Sequence, residues 1–375
     1  MNRITDIICK DKSVDELKNE KSEYKIPNVN KKIIRDYPDI NSKKSQKRKI
    51  GVVFMYFFKC PSITNGHLNW CDTHVLGMNK KDEYFKGYYN PKNYYFWYNE
   101  IRDMIYSGLD FFLLNVYGND LHNEIINNLK KSMDTLSIEY NNDPIKIGIF
   151  DDTWLYNSGH YFKDVSPTFE DSTKIEYTAN ILFNKWKKIF DNDFIWKYLI
   201  HIDGKPIIYF YNAGKLGKTY CSDILNIMKN KFFENYKVYP FIVLDIGYGK
   251  NLKIADRYFK WNTFNHNKIY FQDKNFCNAM VKWDPYKRDA KKYGKFNDSL
   301  FEVYNIKSNN TLIKDDSILK RVLDETIDTE YLLLQTWNDL GEGTQINRNY
   351  DYFDYKNKKW LSPFHFMNII KQYTH

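Results

Sequence analysis

Asp339 and Glu342 stand three residues apart in the stretch Trp337-Asn338-Asp339-Leu340-Gly341-Glu342-Gly343-Thr344-Gln345-Ile346. In a turn, or in the first turn of a helix, that spacing puts both side chains on one side of the backbone. Two carboxyl groups held so close do not ionise freely together, so one is pushed towards the neutral acid while the other stays a carboxylate. Such a pair supplies a proton donor and a base, the two functions that cleavage of a glycosidic bond places on opposite sides of the anomeric centre. Gly341 and Gly343 let the backbone turn sharply and approach a ligand. On residue types alone, an acidic loop that caps a helix or meets Lys and Arg accounts for the same pattern, because structural ion pairs perturb acids too.

The same ten residues resemble the motif near the end of the barrel in the endo-α-mannosidase family of glycoside hydrolases, where an Asn-Glu-Trp-x-Glu-Gly-Thr-x-Ile pattern carries both catalytic acids. The Trp-Asn-Asp-x-Gly-Glu version is also similar to the related fungal α-1,3-glucanase family. Carried over by position, the resemblance implies that Glu342 is the general acid and Asp339 its partner carboxylate. It departs at Asp339, where the endo-α-mannosidase pattern has Glu. One methylene less moves the carboxylate, so base action on water stays open beside base action on the sugar's own 2-hydroxyl. The resemblance further implies a (β/α)8 TIM barrel acting on an α-linked oligosaccharide or polysaccharide, with no metal and no organic cofactor. Two alternatives of other kinds remain: a glycan-binding barrel without turnover, and a glycan-processing transferase.

The elements that must position these acids read as a repeat of apolar strand, polar tip and helix. Residues 51–58 form a first buried strand, which brings in Tyr56. The segment 59–91 after it holds His67, Trp70 and His74, and a connection of that length in a compact domain is usually functional. Helical spacing over 93–107 leads to a strand over 110–117 ending in Asn115 and Tyr117, then a helix over 119–136. A third strand over 145–150 ends in Asp151, Asp152 and Trp154. An amphipathic helix over 173–190 precedes a short segment over 198–202 and a fourth strand over 205–212, which carries Tyr211 and Asn212. A helix over 223–233, a fifth strand over 238–245 ending in Asp245, and sixth and seventh strands over 257–264 and 276–283 follow. Trp283-Asp284-Pro285 resembles the Trp-Asp element that precedes the catalytic strand in these families. A helix over 318–328 and an eighth strand over 331–337, with Trp337 and Asn338 at its tip, complete the set; the tail over 360–373 reads as a helix.

Eight strands alternating with helices predict parallel pairing with right-handed crossovers, and a closed barrel of this kind keeps its active site at the C-terminal ends of the strands. That is where the polar tips fall. Tyr56, His67, Trp70, His74, Asn115, Tyr117, Asp151, Asp152, Trp154, Tyr211, Asp245, Trp283, Asp284, Trp337 and Asn338 are therefore expected to line the sugar subsites around Asp339 and Glu342. About half of the acidic and amide tips are expected only to cap the next helix.

Composition bounds the rest. Aromatic residues make up 18% of the 375-residue chain, a supply of flat rings for sugar faces, although a bias of coding towards Asn, Lys, Ile and Tyr explains most of it. Much of the +9 formal charge lies in residues 1–49, which end in Lys43-Lys44-Ser45-Gln46-Lys47-Arg48-Lys49 and read as a solvated extension ahead of a barrel domain over 50–375. Nothing else points to nucleic acid. Five cysteines without a close pair predict buried thiols in a reducing compartment. With no secretory signal and no apolar run of about 18 residues, the expectation is a cytoplasmic protein with no membrane partner and an oligomeric state left open.

Overall fold

The computed structural model describes residues 48–56, 91–116, 123–141, 144–153, 168–211, 219–249, 252–261, 263, 269–281, 316–338, 344, 346–348, 353–354, 359–362 and 364–374. Strands and helices alternate through them. β1 (Lys49–Phe54), α1 (Tyr94–Tyr106), β2 (Phe111–Val116), α2 (Asn123–Glu139) and β3 (Lys146–Asp152) come first. α3 (Ile175–Phe190), a short α4 (Asp193–Tyr198) and the two-residue β4 (His201–Ile202) lead into β5 (Lys205–Tyr211) and α5 (Cys221–Tyr236). β6 (Phe241–Asp245), β7 (Arg257–Phe259), β8 (Phe271–Asp273), β9 (Phe276–Met280), α6 (Ser317–Glu325) and β10 (Tyr331–Gln335) follow. A small antiparallel pair, β11 (Phe353–Asp354) with β12 (Lys359–Trp360), precedes α7 (His365–Lys371).

The strands form one nearly closed, barrel-like sheet with the order β7-β6-β5-β3-β2-β1-β10-β9-β8. Every pairing along it is parallel except that of β8, which runs antiparallel to β9. Alternation of side chains splits the core in two. One set faces the barrel interior: Val53, Phe111, Leu113, Phe150, Ile207, Tyr209, Phe241, Val243, Phe259, Phe276, Tyr331 and Leu333. The other packs under the helices, as Leu332 and Leu334 do against the layer that includes Trp97, Trp186 and Leu319. Gly51 belongs to the interior set because a Cβ there would lie 2.2 Å from the Phe111 ring. At the N-terminal ends of the strands, Phe241, Phe276 and Tyr331 stack with ring centroids 5.6 and 4.6 Å apart, filling the floor of the barrel.

Two features differ from the expectation of eight strands closed by backbone pairing. β7 spans three residues rather than the eight expected, and β8 forms a hairpin with β9 that the apolar patterning does not signal. β7 and β8 are the two ends of the path, and side chains bridge them. Asn278 of β9 accepts the Lys260 N–H (3.1 Å) and donates to the Lys260 carbonyl (2.6 Å), while Asp273 accepts the Tyr258 N–H (2.8 Å). A carboxamide that gives and takes one hydrogen bond substitutes for a rung of the missing ladder.

Candidate active site

The stretch that bears the acid pair leaves the C-terminal end of β10 and is fastened on both sides. Trp337 donates its N–H to the Val53 carbonyl (2.8 Å) and its indole N–H to Glu100 Oε2 on α1 (2.6 Å). Asn338 accepts the Met55 N–H (2.8 Å) and donates to the Met55 carbonyl (2.9 Å), latching β10 onto the end of β1. On the far side, the N–H groups of Ile346 and Asn347 both donate to the Trp337 carbonyl (2.9 and 3.0 Å), and the Thr336 and Thr344 hydroxyls share a 2.7 Å bond. Arg348 then makes a two-pronged ion pair with Asp103 of α1, through Nε at 2.9 Å and through Nη2, with its guanidinium over the Phe364 ring. These groups are buried. The entry and exit of residues 339–343 are thus held at one point on the rim of the barrel. Asp339 and Glu342 themselves lie outside the described residues.

Burial, and after it the neighbouring Asp103, push the Glu100 carboxyl up to about 8 against the opposing pull of the Trp337 indole, Arg348 and Asn347. Near neutral pH it is therefore a neutral acid beside a charged Asp103–Arg348 pair.

Across the mouth, alternation turns Asn115, Asp152, Tyr211 and Asp245 inward, in step with Leu113, Phe150, Tyr209 and Val243. Asn115 is fully buried, and neither its amide nitrogen nor its amide oxygen has a hydrogen-bond partner. Asp245 accepts the Gly247 N–H (2.5 Å), and burial pushes its carboxyl up to about 6 in spite of backbone N–H bonds from Gly247 and Trp261. Tyr211 and Trp261, both partly exposed, lie 5.0 Å apart between ring centroids and both pack on Phe150. Together they form an aromatic wall beside the two polar groups. Trp261 was not among the residues expected at the site; the sequence places it inside the strand expected over 257–264, and the structure ends that strand at Phe259, before it.

The family model described as domain of unknown function, DUF5010, matches residues 62–375. The chain belongs to the DUF5010 family. No curated protein matches it in sequence. Among solved structures, the DUF5010 chain is similar to a glycoside hydrolase-like protein at 13% identity and a TM-score of 0.53, covering 92% of this chain and 98% of that one. It is also similar to the GH99 endo-α-mannosidase from Bacteroides thetaiotaomicron in two structures, at 12% identity and TM-scores of 0.53 and 0.52. Those matches cover 86% of this chain and 95% and 96% of theirs. At such identities the likeness is one of fold, and the fold is glycoside hydrolase-like.

Four of the residues expected at the subsites of the DUF5010 chain face away from the mouth. Asp151 is turned out to α3, where its oxygens take the Lys185 ammonium and the Trp186 indole N–H, each at 2.6 Å. Trp337 is fully buried in the helix-facing layer, and Tyr56 is buried against Trp97 with ring centroids 6.0 Å apart. Asn338 has its amide committed to Met55. At the end of β3 the reason is alternation, which turns Asp152 inward and its neighbour Asp151 to the helices, whereas Trp337 and Asn338 lie past β10 and are held by their bonds to Glu100 and Met55. Asn115, Asp152, Tyr211 and Asp245 are brought together at the mouth. His67, Trp70, His74, Tyr117, Trp154, Trp283 and Asp284 lie outside the described residues. No three His, Cys, Asp or Glu side chains among the described residues converge as a metal site.

Proposed function

We propose that this protein is a glycoside hydrolase acting on α-linked glycan of mannan or glucan type. Glu342 protonates the leaving-group oxygen, and Asp339 serves as base, on water or on the 2-hydroxyl of the sugar. The observation that carries the reading is the position of the acid-bearing stretch. Its two fastened ends sit at the C-terminal rim of a barrel-like sheet, the place where this architecture assembles its chemistry. Two further observations support it. Asn115 offers an unused donor and acceptor, the pair that a sugar hydroxyl satisfies, and the Tyr211–Trp261 wall offers flat faces for a pyranose ring.

A screen of α-mannans, α-1,3-glucans and activated α-glycosides tests the proposal. Cleavage by the wild type that Glu342→Gln and Asp339→Asn both abolish, with glycan binding retained, is the expected outcome. Binding without cleavage, unchanged by either substitution, would replace the hydrolase with a glycan-binding barrel. Transfer to added acceptor sugars that outruns hydrolysis would make it a transferase.

A further inference from the structure

We propose that Trp261 is the platform on which the glycan stacks the apolar face of a pyranose ring, and that Asp245 positions Trp261 instead of touching the sugar; this deepens the reading above and rests on it. β7 ends at Phe259, which pairs with Asp245. Beyond that point the backbone ladder stops, and side chains of three other strands take over. The Asp245 carboxylate of β6 accepts the Trp261 N–H. Asn278 of β9 accepts the N–H of the preceding Lys260 (3.1 Å) and donates to the Lys260 carbonyl (2.6 Å), to which Gln335 of β10 also donates (3.1 Å). Just past Trp261, the Thr263 hydroxyl accepts the Met280 N–H (3.2 Å) and donates to the Ile269 carbonyl (3.1 Å). Asp245, Thr263, Asn278 and Gln335 are all buried.

Four buried polar side chains are a costly way to hold so short a run of backbone, because each gives up water to do it. What they fix is one partly exposed indole. It rests on Phe150 and Tyr211, with ring centroids 5.3 and 5.0 Å away, and against Met280. The Trp261 and Tyr211 planes are tilted by 40°, so the two rings line a shallow angle in the wall. The C–H face of a pyranose packs well on a flat ring of this kind, and a ring whose backbone is already fixed loses little freedom on binding. Asp245 is only 5% exposed, and its carboxylate is engaged by the Gly247 and Trp261 N–H groups. Its contribution to glycan binding therefore runs through Trp261.

Oligosaccharides of α-mannan and of α-1,3-glucan, titrated by calorimetry and assayed for cleavage, are the probes. Trp261→Ala is expected to weaken binding of the oligosaccharide that the wild type takes at least about tenfold, the scale of a tryptophan hot spot, and to raise KM in step while kcat changes little. Trp261→Phe keeps a ring on Phe150 and is expected to lose no more than about threefold. Asp245→Ala is expected to weaken binding too, but to cost nothing further in a Trp261→Ala background, a non-additivity that a merely structural Asp245 would not give. Asp245→Asn, which keeps one acceptor oxygen, takes its place in the cycle if Asp245→Ala does not fold. Wild-type affinity in a folded Trp261→Ala would overturn the platform, and additive losses in the double variant would put Asp245 on the sugar itself. Binding without cleavage would remove the hydrolase reading alone, because the affinity of Trp261→Ala still decides the platform. A wild type that binds neither oligosaccharide would overturn both.

Discussion

A fully buried amide with no hydrogen-bond partner is the most informative residue in the barrel. Leaving such a group unmade costs about 1–3 kcal/mol, and proteins keep the cost where the group has another use. Asn115→Leu removes the unsatisfied atoms at similar volume. It is expected to raise the unfolding free energy by about 1 kcal/mol or leave it unchanged, while weakening glycan binding at least about tenfold. Urea unfolding read beside calorimetric titration with the cleaved glycan checks both, and a loss of stability with normal binding would remove Asn115 from the site. The sequence marked Asn115 as a polar tip on an apolar strand, but not that it would lack partners, because that depends on strands β1 and β3 beside it. Asp151 and Asp152 carried equal weight as neighbours in sequence. Only their opposite facing on the sheet separates a helix anchor from a mouth residue.

At the level of elements, α3 is tied to β3 through charge. Lys185 and Asp151 pair at 2.6 Å with 4% and 0% of their side chains exposed, and Trp186 completes the carboxylate's shell. Removing one member of such a pair strands the other in the core, at a cost of about 3–5 kcal/mol, whereas replacing both by apolar groups is far milder. Asp151→Ala is expected to lose that much stability by chemical denaturation, and Asp151→Leu with Lys185→Met to recover most of it. Equal losses in the single and the double variant would show that the ion pair is not what anchors the helix. Helical spacing predicted α3 to within two residues at its start, since its apolar stripe is local information. Its attachment was not predictable: a Lys within a Lys-rich helix reads as solvent-facing until the fold buries it.

The whole molecule inherits a pH dependence from its buried acids. The folded-state values of Glu100, about 8, and Asp245, about 6, both lie above the ordinary values of 4.5 and 3.8. For a carboxyl raised on folding, the native state binds the proton more tightly, so the contributed stability is fully present below the ordinary value and is lost as pH rises through the folded one. The window runs from about 4 to about 8. Unfolding free energies of the wild type and Glu100→Gln are expected to diverge across it, the wild type falling relative to the variant as pH climbs from about 5 to about 9. Parallel curves would show that Glu100 ionises in the folded protein as it does in the unfolded chain. The same scale holds the closure of the sheet, where Asn278 and Asp273 do by side chain what a longer β7 would do by backbone.

Local patterning by itself determined the succession of parallel strands and the helices between them, though not the β8 hairpin, because burial on a strand or on one face of a helix writes a period of two or of about 3.6 into neighbouring residues. It placed the parallel strands in order and set the acid-bearing stretch at the end of the last of them. Tertiary structure decided what no period encodes: which of two adjacent tips looks into the barrel, that the Trp and Asn just ahead of Asp339 are fasteners, and that two acids of an early helix bind Trp337 and Arg348 near the end of the chain. Those outcomes depend on residues hundreds of positions apart meeting in a medium where an unpaired charge or amide is expensive.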